Sequence, residues 1–398
     1  MKFSVLLPTR NRLEYLKYAV ASVQMQDYKN WEIIVSDNCS DDDVEGYVRA
    51  LNDPRIHFYR TASFCSVTDN WNNALEKSSG DYVIMLGDDD SLLKGYFTAC
   101  KNLLGRHDFP DMIYQSALQY VYPDVLPNHP NGYLVQLVNA SFLAGQNTPY
   151  ILNKTDVQKV VKEVFNFSVS VNFNSQHCLV SRRLIHSVEK HGSFYQSPYP
   201  DYYSTTMLFI KAERILAVPY SLAVIGVSPK SFGYYYFNNK EDQGVAILKN
   251  LSEDHIYKIV KKYVMPGTNM NTSWLLSLET VKQNVSSEFD FKVNYKKYRM
   301  LQMFQHYKNY LWQEGVKTRD LVKMVRCLFW WEKIVYLIPF ILVLTMRFYP
   351  NKAFRKAWST KMLYKYSHPS HGIPVVLAEK YKNILEVFED INENPLLR

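Results

Sequence analysis

The sequence predicts an α/β fold: a mostly parallel sheet flanked by helices, with a helical C-terminal region appended. Three features carry that reading. Short apolar runs alternate with segments of helical periodicity from the N-terminus to about residue 114, the pattern of βαβ units. Several of those runs end in polar or charged side chains. The length, 398 residues, exceeds one ordinary core, so a second domain or an appendage is expected.

Phe3 to Leu7 is the first strand, and Leu13, Leu16, Val20 and Val23 then recur at helical spacing. Trp31 to Val35 is the second strand. The turn SDNCSDDD after it offers Asp41 or Asp42 as cap of a helix beginning near Asp43. Ile56 to Tyr59 is the third strand, and Thr68 or Asp69 would cap a helix running to Lys77. Gly80 leads into the fourth strand, Tyr82 to Leu86. Leu92 to Leu104 reads as helix and Asp111 to Tyr114 as strand. From Tyr122 to Pro149 the pattern dissolves into Pro, Asn and Gly, a loop-rich insertion. Helix and strand pieces resume to Val227, and Glu241 to Gln313 is mostly helical.

Composition excludes several classes. With 47% hydrophobic and 21% charged residues the chain is globular rather than disordered. Cys39, Cys65, Cys100, Cys178 and Cys327 are scattered, with no CxxC pair, so neither a zinc site nor a disulfide framework is expected. MKFSVLLPTRNR breaks its apolar run at Pro8 and has no small-residue cleavage site, which points to the cytoplasm. The net charge of +8 is local: between Lys317 and Lys365 eleven basic residues face two acids, Asp320 and Glu332. The remainder is about neutral. That argues against a nucleic-acid partner and for one basic patch.

In open parallel sheets, ligands bind beyond the carboxyl ends of the strands. The first strand ends in Pro8-Thr9-Arg10-Asn11, the second in Ser36-Asp37-Asn38 and the fourth in Gly87-Asp88-Asp89-Asp90. Thr9 and Arg10 alone would fit a solvated loop, and Asp37 alone a turn or a helix cap. The aspartate triplet is harder to explain that way, because a cap needs one carboxylate. Three adjacent carboxylates at the mouth of a core repel one another, more strongly as the dielectric falls. A hard divalent cation relieves the repulsion, and Mg²⁺ or Mn²⁺ takes carboxylate and phosphate oxygens alike.

FSVLLPTRNR, WEIIVSDNCSDD and NWNNALEKSSGDYVIMLGDDDSLL together resemble the start of a family 2 glycosyltransferase of the GT-A fold, a Rossmann-like architecture. The resemblance is strong from residue 3 to about 104, weaker to about 227 and absent beyond. It implies a nucleotide-sugar donor, usually a UDP-sugar, and transfer with inversion at the anomeric carbon. By motif match, Thr9 and Arg10 would lie along the nucleotide and Asp37 would accept a hydrogen bond from the base. Asp89 would bind the metal, Asp88 the ribose or sugar side, and Asp90 would assist at the metal. Gly87 stands where many relatives keep an acid, which leaves the three roles partly interchangeable. The family places its general base about 100 residues after the triplet, just before a helix. Ser197 to Val224 sits there, and Asp201 matches the acid, with Pro200 in place of the usual Glu. Asp201 is equally compatible with a helix cap. His177, in NSQHCLVSRR, is a rival base. In the implied chemistry a metal stabilises charge growing on the leaving β-phosphate, and the base takes the acceptor's hydroxyl proton.

CLFWWEKIVYLIPFILVLTMRFYP, Cys327 to Pro350, is the most hydrophobic segment. Its uninterrupted part, Ile334 to Met346, would make roughly 20 Å of helix against a bilayer core of about 30 Å. A helix lying in the interface fits better than a span. Trp330, Trp331, Tyr336 and Tyr349 would sit at headgroup depth and the Lys and Arg flanks on anionic lipid. A helix buried against the catalytic domain is the other reading. The expected division is therefore a catalytic domain over 1–235, a helical extension over 236–316 and a basic, aromatic, membrane-associating region over 317–398, held peripherally at the inner face of the cell membrane. The expected activity moves a sugar from a UDP-sugar to a saccharide or lipid-linked saccharide in bacterial surface polysaccharide synthesis. The alternatives are a catalytically inactive membrane-bound scaffold or nucleotide-sugar-binding protein with the same fold, and a nucleotidyltransferase. PTRNR lacks the phosphate-binding glycines the latter would need.

Overall fold

β1 (Phe3–Thr9) runs parallel to β2 (Trp31–Asp37) on one side and to β4 (Tyr82–Met85) on the other, and β3 (Ile56–Arg60) extends the sheet beyond β2. Every residue of β1, β2 and β4 is buried, which is why they read as continuous apolar runs rather than alternating ones. The crossovers are α1 (Leu13–Gln24), α2 (Val44–Ala50) and α3 (Val67–Glu76). Val5, Leu7, Val20, Ile33 and Ile84 meet in one apolar cluster. This computed structural model describes residues 1–125, 131–137, 140–238, 254–312, 318–355 and 375–390, with 241, 244, 248, 357, 358 and 361.

Beyond β4 the direction changes. β9 (Cys178–Ser181) lies antiparallel between β4 and β6 (Met112–Val121), and β7 (Gly132–Gln136) pairs antiparallel with the far half of β6. β10 (Ile215–Val227) runs parallel along the whole of β6, with register shifts between Val218 and Ala223. It also pairs antiparallel with β5 (Ser91–Leu92) and β8 (Tyr150–Ile151). The sheet is mixed, and its long ladders are parallel.

Local expectations shift in ways the contacts explain. α2 is capped by Asp43, whose side chain accepts from Gly46 N at 2.8 Å. Asp41 and Asp42 instead serve the loop after β1, accepting from Asn11 Nδ2 and Leu13 N, each at 3.0 Å. α3 is capped by Ser66 rather than Thr68 or Asp69; Asp69 hydrogen-bonds back to the cap, and Thr68 donates to Ser197 O. The helix expected from Leu92 starts later, as α4 (Tyr96–Arg106), because Ser91 and Leu92 are taken up by β10 and Gly95 (φ 77°) makes the turn. The segment expected to be loop-rich holds β7; its residues 126–130, 138 and 139 lie outside the described ones. β7 needs Gly132, since a Cβ there would lie 2.0 Å from Tyr120 Oη.

The chain divides into two compact units, one of Met1–Val161, Ser170–Leu251 and His371–Arg398, the other of Lys162–Val169 and Ser252–Ser370. This division falls near 251 and 370, beside the expected boundaries at 235 and 316. The C-terminal end belongs to the first unit: β11 (Val375–Tyr381) pairs antiparallel with β7, and the helix Ile384–Asp390 buries Ile384 and Val387 among Leu118, Tyr120 and Leu134. Between 254 and 355 the described secondary structure of the second unit is helical. Arg299, on the helix Tyr295–Trp312, forms a buried ion pair with Glu332, on the helix Trp330–Arg347, at 2.9 Å.

Candidate active site

The register of β1 on β2 sets Thr9 opposite Asp37, and that of β2 on β3 sets Asp37 opposite Arg60. β4 ends on the same edge and turns at Gly87 into the triplet. All three aspartates are buried. Their repulsion is answered from within the chain. Arg12 spans two of them as a fork, Nη1 to Asp88 Oδ1 at 2.8 Å and Nη2 to Asp89 Oδ2 at 2.5 Å. Thr9 Oγ1 donates to Asp88 Oδ2 at 2.7 Å. Ser228, just past β10, donates its N (3.2 Å) and its Oγ (2.7 Å) to Asp89 Oδ2.

Asp90 faces a different set of groups. Its Oδ1 accepts from Gly226 N at 2.7 Å, and its Oδ2 accepts from Gly87 N at 2.6 Å and Gln176 Nε2 at 2.5 Å. It ties the β4 turn to β10 and to the short turn Ser175–His177. Asp90 is expected to assist at a metal; in the structure each of its oxygens takes a backbone N–H. Gly226 makes the approach possible, because a Cβ there would lie 1.8 Å from Asp89 O.

Burial pushes Asp88 above the ordinary carboxylate value, against the pull of Arg12. Burial, then the Asp89 charge, pushes Asp90 above the ordinary carboxylate value, while the hydrogen bonds from Gly226, Gly87 and Gln176 pull the other way. Burial disfavours the Arg12 cation, but the three carboxylates outweigh it and hold it charged.

Asp37 is fully buried. It takes Arg60 Nη1 at 2.9 Å and accepts from Ser40 N at 3.1 and 3.3 Å. Arg10 stays at this strand end, donating to Asn38 O at 2.8 Å and lying 4.1 Å over the Phe64 ring. The two arginines of PTRNR thus serve different places, Arg10 the end of β2 and Arg12 the triplet. Arg60, Arg12, Ser228, Gly226 and Gln176 were not read from the sequence. Arg12 was within reach, inside the quoted motif; the last three join only through the fold.

Asp201 is the second residue of α5 (Pro200–Lys211), after Pro200 at the first position. Tyr199 occupies the cap position, so the capping role is not its own. Asp201 Oδ1 accepts instead from Ser175 N (2.9 Å) and Ser175 Oγ (2.6 Å). Ser175 is followed by Gln176, the donor to Asp90. Two consecutive residues therefore connect the candidate base to the triplet. Burial pushes Asp201 up to about 6, against the Ser175 hydrogen bonds.

His177 does not fit the rival role. It is fully buried, its Nδ1 donates to Gln115 O at 2.7 Å, and its ring stacks on Tyr114 at 5.5 Å. Burial pushes it down to about 4, so it packs as a neutral ring.

Asp88 Oδ1 and Asp89 Oδ2 converge on one cation, the Arg12 guanidinium. Mg²⁺ characteristically takes one or two carboxylates and completes its shell with water and substrate phosphate, so this oxygen pair suits such an ion in kind. No group of three or more His, Cys, Asp or Glu is placed to hold a metal among the described residues.

Residues 4–152 match the family model described as Glycosyl transferase family 2. The chain is 43% identical over 97 residues to a GalNAc(5)-diNAcBac-PP-undecaprenol beta-1,3-glucosyltransferase of Campylobacter jejuni, covering 24% of this chain and 31% of that protein. It is 27% identical over 292 residues to WcaA of Escherichia coli K12, named as a candidate colanic acid biosynthesis glycosyl transferase, covering 70% of this chain and 93% of that one. It is 30% identical over 87 residues to the Escherichia coli WfgD, a UDP-Glc:alpha-D-GlcNAc-diphosphoundecaprenol beta-1,3-glucosyltransferase, covering 22% of this chain and 34% of that one. The chain thus spans about a third of the length of the first and third of these relatives. The matched region takes in β1 to β4, the Thr9 and Asp37 positions and the whole Asp88–Asp90 turn, and over this stretch, residues 4–152, the chain matches glycosyl transferase family 2.

Proposed function

We propose that the protein transfers a sugar, with inversion, from a UDP-sugar to a hydroxyl of a saccharide or lipid-linked saccharide in bacterial surface polysaccharide synthesis. One observation carries the reading: Asp201 and the triplet are fastened to consecutive residues, Ser175 and Gln176. A proton acceptor and a diphosphate-handling edge are held in fixed relation by that turn. Thr9, Arg10 and Asp37 line the nucleotide side, with Arg60 fixing the Asp37 carboxylate. Asp201 takes the proton of the acceptor hydroxyl. The acceptor oxygen bonds to the anomeric carbon from one face as the bond to the β-phosphate oxygen breaks on the other, releasing UDP. A Mg²⁺ or Mn²⁺ held by Asp88 and Asp89 would neutralise charge on that diphosphate. The similarity to enzymes named for undecaprenol-linked substrates and colanic acid supports the acceptor class.

The test is a panel of nucleotide sugars, read by thermal stabilisation and by transfer or hydrolysis with Mn²⁺. One UDP-sugar is expected to stabilise by roughly 2.7 kcal/mol at a hundredfold excess over Kd and to be consumed. A panel in which no UDP-sugar binds or turns over would refute the reading.

The same proposal places the protein on the inner face of the membrane, as a peripheral protein. No helix of the described residues is long and apolar enough to cross a bilayer. The helix Trp330–Arg347 buries Glu332, Tyr336 and Val343, while Trp330, Ile334, Ile338 and Ile341 are exposed at helical spacing. Its one acid is neutralised by Arg299, and Lys323, Arg326 and Lys333 are exposed nearby. An apolar stripe with basic flanks suits an anionic lipid surface, at about 1 kcal/mol per basic residue. Sedimentation with vesicles of anionic phosphatidylglycerol is expected to carry the protein down, and the Ile334→Asp, Ile338→Asp double variant to weaken this at least tenfold. Equal recovery of both proteins in the supernatant would refute the surface.

A further inference from the structure

Asp88 and Asp89 carry a cation of their own. Arg12 reaches them as a planar fork, and Nη2 also donates to Ser228 Oγ at 2.7 Å. A guanidinium has five N–H donors fixed in one plane. The Nε donor of Arg12 is buried and has no partner among the described residues. An unmet buried donor on a charged group is costly, and a ligand oxygen would relieve it. Arg12 stands at the N-cap position of α1, ahead of the helix rather than within it, so its side chain can turn without unwinding a helical turn.

Two demands meet at the same atoms. Asp88 Oδ1 and Asp89 Oδ2 are the oxygens suited to a divalent ion, and they are the oxygens Arg12 occupies. A guanidinium and a dication cannot both sit against them, because like charges at contact distance repel strongly in a buried site. A diphosphate supplies what a released Arg12 needs, since its oxygens match the guanidinium fork. We propose that Arg12 is an exchangeable counter-cation of the triplet: it yields Asp88 and Asp89 to a divalent ion and turns its fork onto the donor's diphosphate, so that the ion and the diphosphate bind cooperatively. This rests on the donor reading above. It makes Arg12 a donor-binding residue whose charge keeps the carboxylates paired while the donor is away.

Linkage makes the claim reciprocal: if UDP tightens Mn²⁺, then Mn²⁺ tightens UDP by the same factor. Calorimetric titration of the full chain with Mn²⁺, with and without UDP, reads both. In the wild type, UDP is expected to tighten Mn²⁺ at least tenfold. In Arg12→Met, Mn²⁺ is expected to bind at least tenfold tighter than in the wild type without UDP, with the coupling reduced below threefold. If Arg12→Met does not fold by circular dichroism, Arg12→Lys replaces it. A point charge in place of the fork is expected to lower the coupling to between threefold and tenfold, and a coupling equal to the wild type's would overturn the proposal. Unchanged or weaker Mn²⁺ binding without UDP in the variant would overturn the proposal while leaving the donor reading intact, provided UDP itself binds. Failure of UDP to bind the wild type in any condition would remove the donor reading and this inference with it.

Discussion

Asp201→Asn is expected to lower transfer by about 10² to 10⁴-fold, the usual worth of a positioned general base, while changing UDP-sugar affinity by less than about twofold. The same substitution should make the protein more stable at neutral pH. Asn keeps the shape, and its Oδ1 can accept both hydrogen bonds that Ser175 donates to Asp201. The sign follows from the titration. Burial raises the folded-state value to about 6 from an ordinary 3.8. The folded protein therefore holds that proton more tightly than the unfolded chain, and the ionised carboxylate opposes folding. The penalty is absent below about pH 4, grows between 4 and 6, and is complete above 6. At 1.36 kcal/mol per pKa unit it amounts to roughly 1–3 kcal/mol, which Asn avoids. Melting curves should show the variant ahead at pH 7.5 and level with the wild type near pH 4. For the wild type, kcat/KM should rise with pH through about 6 as Asp201 ionises. Near-normal turnover in Asp201→Asn would remove it as the base.

The parts of this fold that were legible share one property, that their signal is local. β1, β2 and β4 are buried throughout, so each announces itself as an apolar run. The triplet is conspicuous because three charges interrupt such a run at its end. What was not legible depends on how the chain turns or on what arrives from far away. PTRNR presents two arginines, and nothing in it says which one meets the triplet. Asn11 decides: at φ 53° it occupies the left-handed region that Asn tolerates, and it separates Arg10, at Asn38, from Arg12, at Asp88.

Distance in sequence hid the rest. Ser228 and Gly226 close over Asp89 and Asp90 from the end of β10, well over a hundred residues later. Two-residue β5 took the first turn of an expected helix because its partner strand lies equally far along the chain. β11 joins β7 from beyond the whole second unit, so a C-terminal region that looked continuous in composition is divided in space. Helix caps slipped by one to three residues where several Asp, Ser and Thr competed and the losing side chains were needed elsewhere, as with Asp42 at Leu13 N.

Asp89→Asn and Asp90→Asn are expected to fail in different ways, although the sequence presents the two residues as equivalents. At position 89 an amide oxygen can still accept from Ser228, and Arg12 keeps Asp88. The loss to the fold should be about 1–3 kcal/mol, less than the 3–5 typical of a buried pair broken outright. The loss to catalysis should be at least about 10²-fold, because one of the two carboxylates that meet at the Arg12 position has lost its charge. At position 90 the geometry is less forgiving. Each oxygen of Asp90 accepts a backbone N–H, from Gly226 on one side and from Gly87 on the other. Whichever way an Asn amide is turned, its NH₂ points at one of those donors, and a buried donor is left unpaired. That should cost about 2–4 kcal/mol and loosen the β4 turn against β10. The folded fraction of Asp90→Asn should nevertheless turn over within about tenfold of the wild type, since Asp88, Asp89 and Arg12 remain. Chemical denaturation together with turnover per folded molecule, measured on both variants, separates the two roles. An Asp90→Asn protein that is as stable as the wild type but silent would return Asp90 to the metal side of the site.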